Sequence, residues 1–309
     1  MGIMIDGTYH DSEPAPNTAG DGSFQRQQAT IRAQISAQGP HLPEPGRYHL
    51  YVAWNCPWAH RVILTVALKG LTNIGFSYAL PRRSDQGWVF DAEGDFADPL
   101  FGARALHEIY SRHPEPFTGR VTVPVLWDKL LHRAVSNESA DIVRMLNDAF
   151  PGPDLAPPDL QDGIDAWNAR IYKAVNNGVY KAGFARTQAA YDAAVTTLFD
   201  TLDAIDTHLA TNRYLMGDRF TEADLRLFPT LARFDVAYHY AFKCNIRRLI
   251  DYPHLWPYAR EIYQMPGVAA TVKPEIYKAG YFSRSELRNP LGIIPAGPRI
   301  DWTAPHRRG

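Results

Sequence analysis

Apolar residues follow two different spacings along the chain, and each change of spacing marks a new element. Tyr48–Ala53 is a β-rich run, after which apolar residues recur at helical spacing until Lys69 and Gly70 end the pattern. A second β-rich run covers residues 74–80. The pattern predicts a strand, a helix that begins at Pro57 and another strand, which together form a β-α-β unit.

The following 40 or so residues show a weaker pattern. Structureless loops rarely exceed roughly 12–15 residues, so this stretch should be functional or contain a helix of its own. Asp98-Pro99 can cap and start such a helix, which we expect to run to about Arg112. Two β-rich runs, 121–127 and 130–135, then precede a helix that opens within residues 136–139. The order is βαβ, then ββα.

Beyond a Pro-rich stretch at residues 151–158 the β signal fades and helical spacing dominates. Thr221 and Asp224 have the spacing of a capping box at the start of one helix. The predicted helices cover about 161–180, 188–210, 222–242 and 254–264. The predicted organisation is an extended arm (1–45), an α/β domain (46–152), an all-helical domain (160–282) and an extended, Pro-containing tail (283–309).

Composition and charge exclude several classes of partner. The 309 residues are 45% hydrophobic and 21% charged, with a formal net charge of -1. This balance gives no electrostatic reason to bind nucleic acid or anionic lipid. The apolar runs are far shorter than the ~20 residues that span a bilayer. Cys56 and Cys244 are too far apart in sequence to suggest a disulfide framework or a metal site. We therefore expect a cytoplasmic protein without a metal.

Cys56 is the strongest candidate for chemistry. It follows a buried strand and precedes a helix that begins with Pro57, so free backbone N–H groups and the positive end of the helix dipole favour its thiolate. His60 and Arg61 can add positive charge. Ala59 occupies the position of the second cysteine in a C-x-x-C motif, so an external thiol must resolve any mixed disulfide on Cys56. A buried, inert cysteine is the alternative interpretation.

Two further features suggest a ligand site. Pro124 interrupts an apparent central strand, and a cis Val123-Pro124 bond would let Val123 present its backbone N–H and C=O to an extended peptide ligand. A trans proline on an edge strand is the alternative. Glu138 and Ser139 lie at a helix start, where Ser139 can hold a carboxylate and Glu138 can pair with an ammonium group. Simple capping by the two preceding residues would explain the same pattern.

Taken together, Asn55–Arg61, Gly119–Asp128 and Asn137–Ser139 resemble the glutathionyl-hydroquinone reductases, the xi class of glutathione transferases. The resemblance continues through the helical half, at residues 179–185, 221–225, 233–235, 242–245 and 289–298. It implies a thioredoxin-like, glutathione-binding N-terminal domain, a C-terminal helical glutathione-transferase domain and a homodimer.

The resemblance also implies residue roles, with Cys56 as the nucleophile and Tyr180 and Tyr281 binding the aromatic substrate. Packing tyrosines would produce the same pattern in helical segments. Gly280-Tyr281-Phe282 departs from the family's His-Tyr-Tyr, so the acceptor pocket can differ. Trp88 is expected to be an exposed aromatic residue of the long insertion, while Arg120 equally suits an ordinary surface position. The residues implied to contact the co-substrate glutathione are Trp88, Arg120, Val123, Glu138 and Ser139.

The expected reaction is deglutathionylation. The Cys56 thiolate attacks the glutathione sulfur of a glutathionyl-hydroquinone, hydroquinone leaves, and a second glutathione resolves the mixed disulfide to glutathione disulfide. Tyr180 or Tyr281 would act as the proton donor. The alternatives are an omega-like thioltransferase or dehydroascorbate reductase, and a non-catalytic, transferase-like binding module. The sequence leaves open whether the thiol is glutathione or another small thiol such as γ-glutamylcysteine.

Overall fold

The computed structural model describes residues 2–11 and 17–308. They divide into two compact units. The first contains residues 2–11 and Gln28–Pro153, and the second contains Asn17–Gln27 and residues 154–308. The chain thus contributes a short early segment to the second unit before it completes the first.

The strands of the described residues all lie in the first unit and form two sheets. Their bounds are β1 Ile3–Ile5, β2 Thr8–His10, β3 Tyr48–Val52, β4 Gly75–Tyr78, β5 Gly119–Arg120, β6 Val125–Asp128 and β7 Arg133–Ser136. The larger sheet has the order β4-β3-β6-β7, in which β3 and β4 are parallel and the other pairs are antiparallel. Every residue of β3 is buried, including the polar His49.

The smaller sheet is a feature that the sequence pattern did not predict. β1 pairs with β2 as a hairpin and with β5 on its other edge, in a register that places Ile3 opposite Arg120. Met4 is fully buried, and the Asp6 backbone N–H donates to Thr118 Oγ1 at 2.9 Å. The expected extended arm therefore contains regular structure. The local pattern did not reveal it, because β5, which pairs with β1, lies more than 100 residues further along the chain.

The helices belong to both units. Their bounds are α1 Pro57–Lys69, α2 Leu106–Tyr110, α3 Ser139–Ala149, α4 Gln161–Ile171, α5 Gly178–Phe184, α6 Gln188–Leu209, α7 Glu222–Leu231, α8 His239–Ala241, α9 Leu255–Tyr263 and α10 Pro274–Tyr281. The first unit contains α1–α3, so its core follows the predicted order β3-α1-β4 and then β6-β7-α3, the thioredoxin-like arrangement. The second unit contains α4–α10 and is helical.

Local signals located several helix ends correctly. α1 begins at Pro57 and ends before Gly70, whose φ of 66° gives the left-handed conformation that glycine adopts without strain. α7 begins with the predicted capping box, in which the Thr221 backbone N–H donates to Asp224 Oδ2 at 2.9 Å. By contrast, π-helical turns at Tyr172–Asn176 and Phe234–Tyr238 interrupt the two long helices predicted over 161–180 and 222–242.

The helix predicted from Asp98 to about Arg112 is wrong, because only Leu106–Tyr110 is helical. Asp98 is buried, and its carboxylate accepts from the backbone N–H groups of Leu100, Phe101 and Ala103 at 3.1–3.2 Å. These bonds fold the chain into a compact loop rather than a helical turn. A side chain that favours helix capping can equally organise such a loop.

The tail after α10 is extended but firmly attached to the second unit. Trp302 is 6% exposed, with its ring centroid 4.8 Å from that of Trp256 and 5.3 Å from that of Tyr263. Arg308 Nε donates to Glu261 Oε2 at 3.0 Å. Within the described residues, no helix is long and apolar enough to cross a membrane.

Candidate active site

Cys56 is the N-cap residue of α1. Its backbone is extended, with φ -85° and ψ 119°, and Pro57 takes the first helical position. The Cys56 N–H donates to Ala53 O at 3.0 Å, and the Cys56 carbonyl accepts from the His60 N–H at 3.0 Å. These bonds close the tight turn between β3 and α1. The thiol therefore lies at the positive end of a 13-residue helix, where backbone N–H groups favour a negative charge.

Val123 faces the thiol from the chain that leads into β6. The Val123-Pro124 peptide bond is cis, as predicted, and the Cys56 thiol donates to Val123 O at 3.7 Å. Both residues are largely buried, at 9% and 5% exposure. The backbone of Val123 therefore lies immediately beside the candidate nucleophile.

Arg61 connects α1, whose N-cap is Cys56, to the start of α3. Its guanidinium lies 4.5 Å from the centroid of the Trp58 ring, and its Nη1 donates to Ser139 Oγ at 3.4 Å. Arg61 is 2% exposed, so it places a permanent positive charge inside the first unit, one turn beyond Cys56.

Glu138 is itself the N-cap of α3. Its carboxylate accepts from the Ala140 N–H at 3.0 Å and from the Ser139 hydroxyl at 3.4 Å. Capping by the preceding residues does not occur here, since Ser136 Oγ accepts from the Glu138 N–H and the Asn137 amide reaches the Ile31 N–H and Tyr110. The helix start thus carries one carboxylate and one hydroxyl together, the pair required to hold an ammonium and a carboxylate group.

The two remaining predicted glutathione residues are also held in the first unit. Trp88 is 4% exposed, so the expectation of an exposed aromatic residue is wrong; its ring faces the Arg83 guanidinium at 4.6 Å, and its carbonyl accepts from the Leu106 N–H at 2.8 Å. Arg120 is half-buried in β5, where strand pairing with Ile3 fixes its backbone.

A buried polar chain anchors the insertion that carries Trp88. His49 Nε2 lies 2.8 Å from Ser77 Oγ, and the Ser77 hydroxyl donates to Asp98 Oδ1 at 2.7 Å. Burial lowers the pKa of His49 to about 4, despite the opposing effect of Asp98, so this histidine is neutral at neutral pH. The chain ties the insertion to β3 and β4.

The tyrosines predicted to bind the aromatic substrate do come together in the second unit. The hydroxyl groups of Tyr180 and Tyr281 are 3.0 Å apart, and Tyr238 OH lies 2.9 Å from Tyr281 OH. Burial raises the pKa of both Tyr238 and Tyr281 well above the usual value. The result is a row of three hydroxyls with Tyr281 in the middle.

Aromatic rings surround this row. Phe242 lies 5.3 Å from Tyr180 and 5.5 Å from Tyr281, centroid to centroid, and Phe24 from the early Asn17–Gln27 segment lies 6.4 Å from Tyr180. The same segment places the Arg26 guanidinium 4.8 Å from the Tyr180 ring. This aromatic cluster presents hydroxyl groups within a largely apolar environment, which suits a flat phenolic ligand.

Comparison with known proteins identifies the family. Residues 55–149 match the glutathione S-transferase N-terminal domain, and residues 188–261 match the C-terminal domain. The chain is 45% identical to glutathionyl-hydroquinone reductase YqjG of Escherichia coli, covering 100% of this chain and 98% of that protein. It is 44% identical to glutathionyl-hydroquinone reductase PcpF of Sphingobium chlorophenolicum, covering 96% of each.

Solved structures agree. A xi class glutathione transferase from Natrialba magadii superposes with a TM-score of 0.92 at 41% identity, covering 100% of this chain and 96% of that one. The glutathione-bound structure of Escherichia coli YqjG gives 0.90 at 43% identity, covering 99% of both chains. This chain belongs to the glutathionyl-hydroquinone reductases, the xi class of the glutathione transferases.

Several members of the aromatic cluster, Tyr238 and Arg26 among them, were not predicted from the sequence. Tyr238 lies in a π-helical turn within a stretch that reads as one uniform helix, so its direction could not be read from spacing. Arg26 lies in the apparent arm. Phe282, where the family motif differs, is buried with its ring 5.7 Å from that of Tyr240. It therefore takes a packing position beside Tyr281.

Proposed function

We propose that this protein is a glutathione-dependent reductase that removes glutathione from glutathionyl-hydroquinones. The observation that carries the proposal is Cys56 itself, a thiol at the start of α1 beside the Val123 carbonyl, with Ala59 in place of a resolving cysteine. Because the chain offers no second thiol in the motif, Cys56 must exchange with a thiol brought by the substrate.

The first half-reaction forms a mixed disulfide. The Cys56 thiolate attacks the glutathione sulfur, an S–S bond forms, and the bond from that sulfur to the aromatic carbon breaks with its electrons left on the ring. A proton then completes the hydroquinone. In the second half-reaction a glutathione thiolate attacks the mixed disulfide, which releases glutathione disulfide and restores the Cys56 thiolate. One glutathione and one conjugate therefore give one hydroquinone and one glutathione disulfide.

We assign the glutathione-binding roles within the first unit. Val123 would bond the cysteinyl backbone of glutathione, Glu138 its ammonium group and Ser139 its γ-glutamyl carboxylate, while Trp88 and Arg120 would make further contacts. The geometry at the α3 start supports this assignment, because a helix N-terminus with a hydroxyl and a carboxylate suits an α-amino acid end. Tyr180 and Tyr281 would bind the aromatic part and deliver the proton.

Mass spectrometry tests the proposal. Mixing the enzyme with a glutathionyl-hydroquinone in the absence of free glutathione should produce one glutathione adduct, on Cys56, together with one equivalent of hydroquinone. Cys56→Ala should lose both products, whereas Cys244→Ala, which removes a fully buried cysteine, should keep both. Undiminished turnover in Cys56→Ala would contradict the proposal.

Substrate profiling separates the neighbouring activities. An omega-like thioltransferase or dehydroascorbate reductase would use the same thiol, so dehydroascorbate and small mixed disulfides should be compared with glutathionyl-hydroquinones at equal concentrations. We expect the hydroquinone conjugates to have the highest kcat/KM. A Cys56 thiol that reacts with iodoacetamide no faster than free cysteine would favour a non-catalytic binding module.

We further propose a homodimer in the cytoplasm. The support is the family membership. Light scattering after size-exclusion chromatography should give twice the 34.7 kDa of one chain, and a monomeric mass would contradict the dimer.

A further inference from the structure

The hairpin of β1 and β2 depends on the residues that it contacts elsewhere in the first unit. Its turn is Asp6-Gly7, with φ values of 48° and 78°, the left-handed pair that a two-residue hairpin turn requires. Each strand has only three residues. A two-stranded hairpin on its own is marginally stable at best in water. Contacts with the rest of the unit therefore keep this one folded.

One of these contacts is with β5, the strand that carries Arg120. Ile3 lies opposite Arg120, and β5 is at the edge of the small sheet, so β1 is the strand that pairs with it. The Gly7 N–H also donates to Phe117 O at 3.0 Å, just before β5. The hairpin thus holds the backbone on which Arg120 stands.

The second contact is with the turn that precedes Trp88. The half-buried Tyr9 of β2 donates its hydroxyl hydrogen to Asp85 O at 2.7 Å, a direction that is fixed because a carbonyl oxygen can only accept. Ser84 and Gly87 close this turn through two backbone hydrogen bonds of 3.1 Å. Trp88 follows directly, so Tyr9 holds the turn from which Trp88 leaves.

α2 holds the same turn from another direction. The ring of Tyr9 stacks on that of His107, with centroids 4.1 Å apart and 13° between the planes. His107 Nε2 in turn lies 3.0 Å from Gln86 Oε1, and the Leu106 N–H donates to Trp88 O at 2.8 Å. Tyr9 therefore contacts both the turn and the helix that supports it, through a hydrogen bond and a stacked ring.

The hairpin consequently connects Trp88 and Arg120, which are distant in sequence. Both are assigned above to glutathione contacts. Surface turns open locally at a much lower free-energy cost than the whole domain, so the loss of one or two contacts raises the population of the open turn. A ligand that requires the closed turn then binds more weakly, in proportion to the closed fraction that is lost.

We propose that Tyr9 is a positioning residue for glutathione, which fixes the turn before Trp88 while its hairpin pairs with the strand that carries Arg120. This inference rests on the proposed function, because it uses the glutathione contacts assigned to these two residues. Tyr9 acts through Trp88. Its substitution should therefore weaken glutathione binding and leave the reactivity of the Cys56 thiol unchanged.

Hydrogen exchange tests the structural part of the proposal without ligand or turnover. Tyr9→Phe removes the hydroxyl and keeps the stacked ring, whereas Tyr9→Ala removes both. We expect the peptide of residues 84–90 to exchange roughly 3- to 10-fold faster in Tyr9→Phe, the effect of one lost hydrogen bond, and faster still in Tyr9→Ala. Thr8→Ala changes the exposed neighbouring residue of β2 and should match the wild type. Unchanged exchange in both Tyr9 variants would overturn the proposal.

Titration calorimetry with reduced glutathione tests the functional part. Tyr9→Ala should raise the Kd for glutathione roughly 2- to 5-fold, whereas Thr8→Ala should not change it. The rate at which iodoacetamide alkylates Cys56 should be the same in all three proteins. In a Trp88→Ala background, Tyr9→Ala should cause no further loss of affinity. An equal loss in both backgrounds would show that Tyr9 does not act through Trp88.

The two proposals fail in different ways. If the wild-type protein binds no glutathione and forms no Cys56 adduct, the proposed function fails, and hydrogen exchange still decides whether Tyr9 holds the turn. If the adduct forms and Tyr9→Ala binds glutathione as tightly as the wild type, the function stands and the positioning role of Tyr9 is overturned.

Discussion

The Cys56 thiol donates to the carbonyl oxygen of Val123 across 3.7 Å, so the candidate nucleophile is held against the backbone proposed to bind glutathione. Cys244 is different, because it is fully buried and burial raises the pKa of its thiol far above normal. Under native conditions we expect iodoacetamide to label Cys56 and spare Cys244. Peptide mapping measures this, with a urea-unfolded sample as the control in which both cysteines react.

The Asp98 anchor should matter for both stability and glutathione binding. Its carboxylate accepts from Ser77 and from three backbone N–H groups, so Asp98→Ala leaves several buried donors unsatisfied. We expect the free energy of unfolding to fall by about 2–3 kcal/mol and KM for glutathione to rise because Trp88 shifts. Urea denaturation and steady-state kinetics measure the two effects.

Asp95, exposed in the same insertion, provides the control for Asp98. Asp95→Ala should change the free energy of unfolding by less than about 0.5 kcal/mol and leave KM unchanged. Equal losses in the two variants would show that Asp98 is not the anchor of this loop.

Asp128 should make the first unit sensitive to acid. Burial pushes its pKa upward, but hydrogen bonds from Arg47 at 2.6 Å and His41 at 2.7 Å outweigh burial and leave the pKa below its usual value of 3.8. A carboxylate whose pKa is lower in the folded state contributes its full stabilisation at pH values above its pKa in the unfolded state. That contribution is lost as the pH falls through the folded value.

Asp128→Asn should therefore cost about 2–3 kcal/mol of unfolding free energy at pH 7, and its deficit relative to wild type should shrink below a pH of about 4. Denaturant unfolding at several pH values measures both effects. Asp159→Asn removes an exposed partner of Arg219 and should cost at most about 0.5 kcal/mol. A deficit in Asp128→Asn that stays constant with pH would contradict this account.

Trp302 should be the main attachment of the tail. It is buried against Trp256, Tyr263 and Phe228, so Trp302→Ala should lower the free energy of unfolding by about 3–5 kcal/mol. Leu291, also in the tail but 81% exposed, serves as the control. Leu291→Ala should fall within about 0.5 kcal/mol of wild type, and similar effects of both substitutions would mean that the tail is not anchored at Trp302.

Elements whose ends depend on neighbouring residues were predictable from sequence. The signals that begin and end α1 are Pro57 and Gly70, which lie at its two ends. The signal that begins α7 is the capping box formed by Thr221 and Asp224. The sheet of β1, β2 and β5 was missed because β5, which pairs with β1, is remote in sequence. Asp98 was misassigned because helix capping and loop folding use the same hydrogen bonds, and only the tertiary neighbour Ser77 distinguishes them.

The candidate site divides in the same way. Cys56, Val123 and Glu138 were identifiable because each stands beside a proline or at a helix start, where the local backbone dictates the chemistry. Tyr238 and Arg26 reach the Tyr180 cluster from a π-helical turn and from a segment near the N-terminus. No spacing rule joins such distant positions.

The early segment Asn17–Gln27 limits how the two units can be produced as separate fragments. Because it supplies Phe24 and Arg26 to the helical unit while its flanks belong to the other unit, no single cut of the polypeptide yields two complete halves. A fragment that starts at residue 154 would lack part of its own aromatic lining. Chimeras made by exchanging one half for that of a relative would build the aromatic cluster from two different parents.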